Sequence, residues 1–117
     1  MSAAPKVLPF PQRPRPMAQV TLWDGRSRPD EDALRADLTA QGYQVVAWKS
    51  APAEGFPPHL HIYPELMWLL RGSLTIILPA EARLLELAPG DRVALPAGLV
   101  HGTMAGAEGA AYLLATR

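Results

Sequence analysis

The sequence contains no cysteine and no asparagine among its 117 residues. Without cysteine there can be no disulfide, no thiolate nucleophile and no zinc site with cysteine ligands. Any transition-metal chemistry must therefore come from the side chains of histidine, aspartate or glutamate. These absences reduce the search for a reactive site to a few residue types.

The chain also lacks an excess of charge of either sign and a long apolar run. Eleven basic residues balance eleven acidic ones, which gives a formal net charge of zero. Nucleic acids and anionic membranes attract surfaces rich in lysine and arginine, so we expect neither as a partner. No stretch approaches the roughly 20 apolar residues that span a bilayer. Because prolines also interrupt the first residues before a signal-peptide core could form, we expect a cytoplasmic protein.

The length and composition favour one globular domain over residues 1–117. Hydrophobic residues make up 49% of the chain and charged residues 19%, as in folded proteins. Five prolines within residues 1–16 exclude a helix there. We therefore expect a Pro-rich arm and lead-in over 1–28, docked on this subunit or on a partner, then a helix over 29–42 and a β-barrel over 43–117.

The helix has clear end signals, and the rest of the chain shows a strand pattern. Asp30 can cap the helix after Pro29, and Gly42 can close it. Beyond Tyr43, glycines and prolines separate short apolar segments, and Gly72 is predicted to form a tight turn between two of them. The fold class is therefore all-β, a sandwich or barrel with one short helix. The predicted strands cover 44–49, 56–62, 65–71, 73–78, 83–87, 91–95, 100–104 and 110–115.

Three histidines are candidates for metal ligands. His59 and His61 are two residues apart, so on a strand their side chains would point to the same face. Glu65 is an even number of residues from both histidines and so can lie on the same face. His101 from a distant strand would complete a site of three nitrogens and one oxygen. Such ligands suit Fe, Mn, Ni, Cu or Zn as a divalent ion, one per chain. The alternative reading is that the histidines are ordinary core residues with satisfied hydrogen bonds.

Two longer patterns favour the metal reading. Residues 55–72 read GFPPHLHIYPELMWLLRG, and residues 90–105 read GDRVALPAGLVHGTMA. They resemble the two motifs of the cupin superfamily, G(X)5HXH(X)3–4E(X)6G and G(X)5PXG(X)2H(X)3N. This resemblance implies a small single-domain cupin with a double-stranded β-helix, the jelly-roll barrel of antiparallel strands. It also implies that the motif residues His59, His61, Glu65 and His101 bind the metal ion.

The chain departs from these motifs at two positions. The first glycine of the first motif would fall on Ala53, while Gly55 comes two residues late. The final asparagine of the second motif is Ala105. Neither position is a ligand, so the departures concern the loop before His59 and the end of the second motif.

Four protein ligands would leave one or two coordination positions open, as in a catalytic or ligand-binding centre. We expect oxygenase-type chemistry, as in a metal-dependent dioxygenase, on a small organic substrate. The alternative is a non-catalytic module that binds or senses a small ligand through the metal. Tyr63 is the candidate catalytic residue, and its alternative role is an aromatic at the barrel mouth with its hydroxyl in water. Trp48 and Phe56 either wall the mouth or belong to the core.

The segment 65–70 (ELMWLL) is apolar on both faces. We expect Met67 and Leu69 to point into the barrel, which leaves Leu66, Trp68 and Leu70 to be covered from outside. The N-terminal arm, the helix or a second subunit could cover them, and we expect a homodimer.

Overall fold

The computed structural model describes residues 17–25 and 27–117, and most of them lie in antiparallel strands. The prediction of a docked Pro-rich arm falls mainly on residues 1–16, outside the described part. No helix in the part of the chain that the structure describes is long and apolar enough to cross a membrane. The cytoplasmic location stays a prediction. The elements are β1 (Gln19–Thr21), α1 (Glu31–Ala40), β2 (Gln44–Ser50), β3 (Gly55–His59), β4 (Glu65–Leu78), β5 (Arg83–Leu87), β6 (Arg92–Leu95) and β7 (His101–Thr116), with a short 3₁₀ turn at Pro79–Glu81.

Two long strands organise the fold. The first half of β4 and the second half of β7 lie in a sheet of order β1-β6-β4-β7-β2. The second half of β4 pairs with β5, and the first half of β7 pairs with β3. Strands that pass from one sheet to the other in this way form a double-stranded β-helix, so the predicted fold class is confirmed.

Gly72 bends β4 and does not end it. The predicted tight turn between 65–71 and 73–78 is wrong, because one strand runs from Glu65 to Leu78. Gly72 has a φ of +80°, and the pairing register with β7 shifts just after it. A left-handed residue at a register shift bends a strand while its neighbours keep their hydrogen bonds. The segments 100–104 and 110–115 likewise belong to one strand, β7.

The barrel interior is filled by alternate residues of the strands. Met67 and Leu69 both lie in this inner core, as the alternation of β4 predicts. They share it with residues of the second half of β4, of other strands and of the loop before β7, including Leu74, Ile76, Leu78, Val93, Leu95, Leu99 and Tyr112.

Helix α1 covers the outer face of β4. Leu34 and Leu38 pack with Leu66, Trp68 and Leu70 in a second, outer cluster. Those three β4 side chains are at most 8% exposed within a single chain. The predicted homodimer cannot use this face, and it stays a prediction that concerns other surfaces.

The ends of α1 agree with the sequence signals. The Asp30 side chain accepts a hydrogen bond from the Ala33 N–H, as an N-cap does. At the other end Gly42 has a φ of +89°, and the Tyr43 N–H donates to the Leu38 carbonyl. These bonds form a Schellman motif, which satisfies the last carbonyls of the helix.

Strand β1 lies in the segment predicted as lead-in and pairs with β6. Just after it, the Trp23 N–H donates to a buried Asp91 carboxylate, whose other oxygen accepts from the Ala88 N–H. The Trp23 ring lies against Gly90, where a Cβ would come 2.0 Å from the ring. Asp91 therefore anchors the chain before the helix.

Ala53 has a φ of +59°, a left-handed conformation at the position where the motif has glycine. The left-handed conformation costs an L-residue roughly 1–2 kcal/mol, and a glycine at this position would avoid that cost. Glycine also has more freedom in the unfolded chain, which lowers the stability of the fold by about 0.5–1 kcal/mol and so cancels part of the gain. We expect Ala53→Gly to raise the free energy of unfolding in urea by ~0.5 kcal/mol. The control is Ala51→Gly, at a position without positive φ, which should lower it. A loss of stability in both variants would contradict the argument.

Candidate metal centre

The three histidines lie together at one end of the barrel. His59 is the last residue of β3 and pairs with His101, the first residue of β7. His61 lies beyond the end of β3, and its carbonyl accepts a hydrogen bond from the Gly98 N–H at 2.8 Å. The predicted strand over 56–62 is therefore too long at its end. This bond ties the loop that carries His61 to the turn before His101.

The imidazole rings are in contact. The ring centroids of His59 and His61 are 4.8 Å apart, as are those of His59 and His101, while His61 and His101 are 5.8 Å apart. One ligand nitrogen from each ring lies within 4.8 Å of the other two. His59 is exposed, His61 half-buried and His101 buried, so the cluster reaches from the surface into the barrel.

The backbone selects which nitrogen of two rings faces the cluster. The Nδ1 atoms of His59 and His101 lie 2.9 Å from the carbonyl oxygens of Pro57 and Leu99. A carbonyl accepts only, so Nδ1 carries the proton and Nε2 keeps its lone pair. This second contact of a ring is typical of histidines that bind metal ions.

His101 Nε2 is buried and makes no hydrogen bond in the described part of the chain. A buried nitrogen without a partner costs free energy that a core histidine would normally avoid. A metal ion between the three rings would accept its lone pair. The core-histidine alternative does not explain this atom, so the residues present fit a metal ion.

Glu65, the first residue of β4, is buried and contacts His61. Its Oε1 lies 2.8 Å from His61 Nε2. Two ligand atoms at right angles, each about 2.1 Å from an ion, lie about 3 Å apart. The contact therefore has the spacing of neighbouring ligands, and it brings the fourth predicted ligand to the cluster.

Burial keeps His101 neutral. Loss of hydration lowers the pKa of His101 below its ordinary value of 6.5, and the positive forms of His59 and His61 lower it further. The hydrogen bond to the Leu99 carbonyl and the negative charge of Glu65 act in the opposite direction but do not reverse the shift. A neutral imidazole is the form that binds metal ions.

Of the aromatic residues singled out in the sequence, Tyr63 contacts the cluster, and Trp48 and Phe56 contact each other. The Tyr63 ring stacks on His61 with centroids 5.0 Å apart and an angle of 22°, and Tyr63 is 46% exposed. The Trp48 and Phe56 rings meet edge to face at 5.9 Å, and Trp48 is 40% exposed. Tyr63 and Trp48 are thus both placed where a bound molecule could reach them.

Two polar residues that the sequence analysis did not single out lie inside the barrel. Tyr112 is 3% exposed and belongs to the inner core, and its side chain is hydrogen-bonded to Ser50. Burial raises the pKa of Tyr112 above 10.0, and the nearby carboxylates of Glu54 and Glu65 add to this rise. Tyr112 and Leu114 are two residues apart on β7 and so lie on the same face of the strand, and this spacing could have identified Tyr112 as an inward-facing residue.

A groove of about 330 Å³ opens elsewhere at this end of the fold. Its lining includes Glu65, Tyr43 and Arg117, but none of the three histidines among the described residues. The Arg117 guanidinium lies over the Tyr43 ring at 4.4 Å. The groove therefore borders the fourth ligand and does not lead to the histidines.

No family model matches the sequence, and no curated protein matches it. Several solved structures do match the fold. The polyketide cyclase RemF from Streptomyces resistomycificus is 27% identical with a TM-score of 0.60, over 63% of this chain and 53% of that one. The aligned part thus spans about half the length of RemF.

Two further structures extend the likeness. A cupin-2 domain-containing protein from Shewanella frigidimarina is 25% identical with a TM-score of 0.56, over 64% of this chain and 71% of that one. A double-stranded β-helix protein from Klebsiella pneumoniae covers 92% of this chain and 80% of its own, at 19% identity and a TM-score of 0.56. At this identity the last match concerns the fold alone.

Proposed function

This chain is a cupin domain, and we propose that His59, His61, Glu65 and His101 hold one divalent transition metal ion in it. The observation that carries the proposal is the buried His101 Nε2, which has no hydrogen-bond partner in residues 17–25 and 27–117 and lies close to the other two rings. Three neutral imidazoles and one carboxylate suit Fe, Mn, Ni, Cu or Zn and disfavour Ca or Mg. The absence of cysteine leaves no competing thiolate site.

We propose further that the centre performs oxygenase-type chemistry on a small organic molecule. An iron, manganese or copper ion, when bound, would supply open coordination positions and a redox-active centre, whereas zinc would supply only the open positions. The chain's own residues would orient the substrate and exclude water, because Met67 and Leu69 make the barrel wall behind Glu65 apolar. The name of RemF, a polyketide cyclase, supports an organic substrate for a related fold.

A non-catalytic binding module is the second candidate. It is favoured by the few groups that could transfer protons near the cluster. In residues 17–25 and 27–117, the only other titratable ring in contact with the histidine rings is that of Tyr63. A centre poor in acids and bases fits a metal that anchors a ligand as well as one that activates oxygen.

The first experiment is elemental analysis of the untagged protein, followed by anaerobic loading with Fe(II) and measurement of oxygen uptake with small phenols and diketones. We expect about one metal ion per chain and oxygen consumption that depends on one of these compounds. Metal binding without turnover after iron loading would favour the binding module. A protein that takes up none of the candidate ions would contradict the metal site itself.

Tyr63→Phe tests whether the Tyr63 hydroxyl takes part in the reaction. The ring stack on His61 is kept in phenylalanine, so metal content should be unchanged. If the hydroxyl donates or accepts a proton, the turnover rate should fall by about 100-fold with little change in KM. An unchanged rate and an unchanged pH profile would assign Tyr63 to the wall of the mouth instead.

The buried His101 should make the metal-free protein less stable at low pH. Because burial holds its pKa below 6.5, the unfolded chain binds more protons than the folded one as the pH falls through this value. The free energy of unfolding should therefore drop between about pH 7 and pH 5. His101→Phe removes this titration, so its drop in urea unfolding experiments should be smaller. Equal drops in both proteins would contradict the assignment.

A further inference from the structure

Within the part of the chain that the structure describes, the inner face of the barrel is open to solvent along β2. Val46 pairs with Leu114 and Trp48 pairs with Tyr112, and opposite residues of paired strands share a face. Leu114 and Tyr112 belong to or pack on the inner core. Val46 and Trp48 therefore also point inward, yet they are 54% and 40% exposed. Inward-facing apolar side chains with this exposure mark an opening in the barrel wall.

The opposite side of this opening is β3. Phe56 pairs with Thr103, which lies two residues after His101 on the inward-facing side of β7. The Phe56 ring meets the Trp48 ring edge to face, so the two aromatic residues bridge from β3 to β2. His59 follows Phe56 on the same strand and is the exposed member of the histidine cluster. The β3 side of the opening and the exposed member of the histidine cluster therefore lie on the same strand.

The chemistry of this opening, which we call the β2–β3 slot, is apolar with one polar pair. Val46, Trp48 and Phe56 carry no charge, and the polar pair is the hydrogen-bonded Tyr112 and Ser50. A phosphate or an aliphatic carboxylate would find no cation among these side chains. An indole ring that is partly exposed and already in contact with a second ring offers a flat apolar surface, which favours a flat apolar ligand.

We propose that the β2–β3 slot binds an aromatic hydroxy compound, with its ring against Trp48 and Phe56 and its oxygen directed to the metal centre. This proposal rests on the proposed metal-binding function and adds the substrate class to it. The ring would bury apolar area on Trp48, and its one oxygen would be the donor that an open coordination position takes. The hydroxyls of Tyr112 and Ser50 would serve a second polar substituent on the ring.

The test compares two probes, naphthol and its saturated counterpart decalol, on the Zn(II)-loaded protein by isothermal titration calorimetry. Both have one hydroxyl and two fused rings, but only naphthol is flat and aromatic. We expect naphthol to bind about tenfold more tightly, since a ring–ring contact contributes about 0.5–1.5 kcal/mol beyond buried area. Naphthol is also the stronger acid and the better metal donor, so Trp48→Leu, which keeps an apolar side chain, should remove only the part of the preference that comes from the ring contact, about tenfold.

Leu84→Ala is the control, because Leu84 is 65% exposed on β5 outside the slot. It should leave the preference for naphthol unchanged. Equal affinities of the two probes for the wild-type protein, or equal losses in both variants, would overturn the proposal. The same titrations on metal-free protein separate the two claims. Naphthol binding that depends on Trp48 in a protein that takes up no metal would contradict the metal centre but support the slot. Metal uptake without naphthol binding that depends on Trp48 would contradict the slot alone.

Discussion

Replacing His101 with alanine should reduce the affinity for the metal ion by more than about 100-fold, which exceeds the usual effect of losing a residue that only contacts a ligand. The side chain is buried, and among the described residues its Nε2 has no hydrogen-bond partner that would account for its place in the barrel. Titration with Zn(II) and Mn(II) measures the affinity directly. In the His101→Ala variant, added metal should no longer raise the melting temperature, because an ion stabilises only a folded protein that binds it.

The control for this variant is Thr103→Ala. Thr103 lies two residues further along β7, on the same face, and is 3% exposed. It should keep the full metal content if the loss in His101→Ala comes from the missing ligand and not from damage to the strand. Glu65→Gln should have a smaller effect, because its amide oxygen can still coordinate without the charge. Equal metal content in His101→Ala and wild-type protein would remove the basis of the proposed centre.

The cluster of candidate metal ligands could be predicted because its residues lie at short, regular spacings. His59, His61 and Glu65 come within seven residues, and the turn residues around His101 repeat a recognisable pattern. The structure brings all four side chains together, although His61 lies beyond the strand that was expected to carry it. The loop is held by the bond between Gly98 and the His61 carbonyl, which links residues far apart in sequence.

The covering of β4 could not be predicted in the same way. The continuous apolar run in 65–70 indicates that both faces are buried, but it carries no information about which element lies on the outer face. Leu34 and Leu38 supply that face from α1, although the apolar side of the helix is thin in the sequence. Strand β1 was missed for a related reason. Its three residues form a strand only because Val20 lies opposite Val93 of β6.

The exposure of Trp48 could not be predicted from the sequence either. The position of Trp48 on the strand indicates which face its side chain is on. Whether other residues cover an inward-facing side chain depends on the distance between the two sheets at that edge. The sequence therefore left both a mouth position and a core position open for Trp48 and Phe56, and large aromatic residues belong more often to the core. The partial exposure of Trp48 and its contact with Phe56 favour the mouth.

Gly72→Ala should destabilise the fold by about 3 kcal/mol or more, within the range of the largest single substitutions. Two effects add at this position. The φ of +80° disfavours any side chain, which costs roughly 1–2 kcal/mol. A Cβ would also lie 2.1 Å from the Gly109 carbonyl oxygen, so the two long strands would have to separate where both bend. Urea unfolding followed by fluorescence measures the loss, with the slope checked for two-state behaviour.

Gly42→Ala separates the two effects. Gly42 has a φ of +89°, but nothing lies within 4 Å of the position of its Cβ. It should therefore lose only the conformational part, about 1 kcal/mol. The difference between the two variants measures the close approach of β4 and β7 at the corner of the barrel. If Gly72→Ala loses no more stability than Gly42→Ala, the close approach of Gly72 and Gly109 does not require a glycine at the corner. Gly72, the last glycine of the first motif, would then be needed only for its backbone angle.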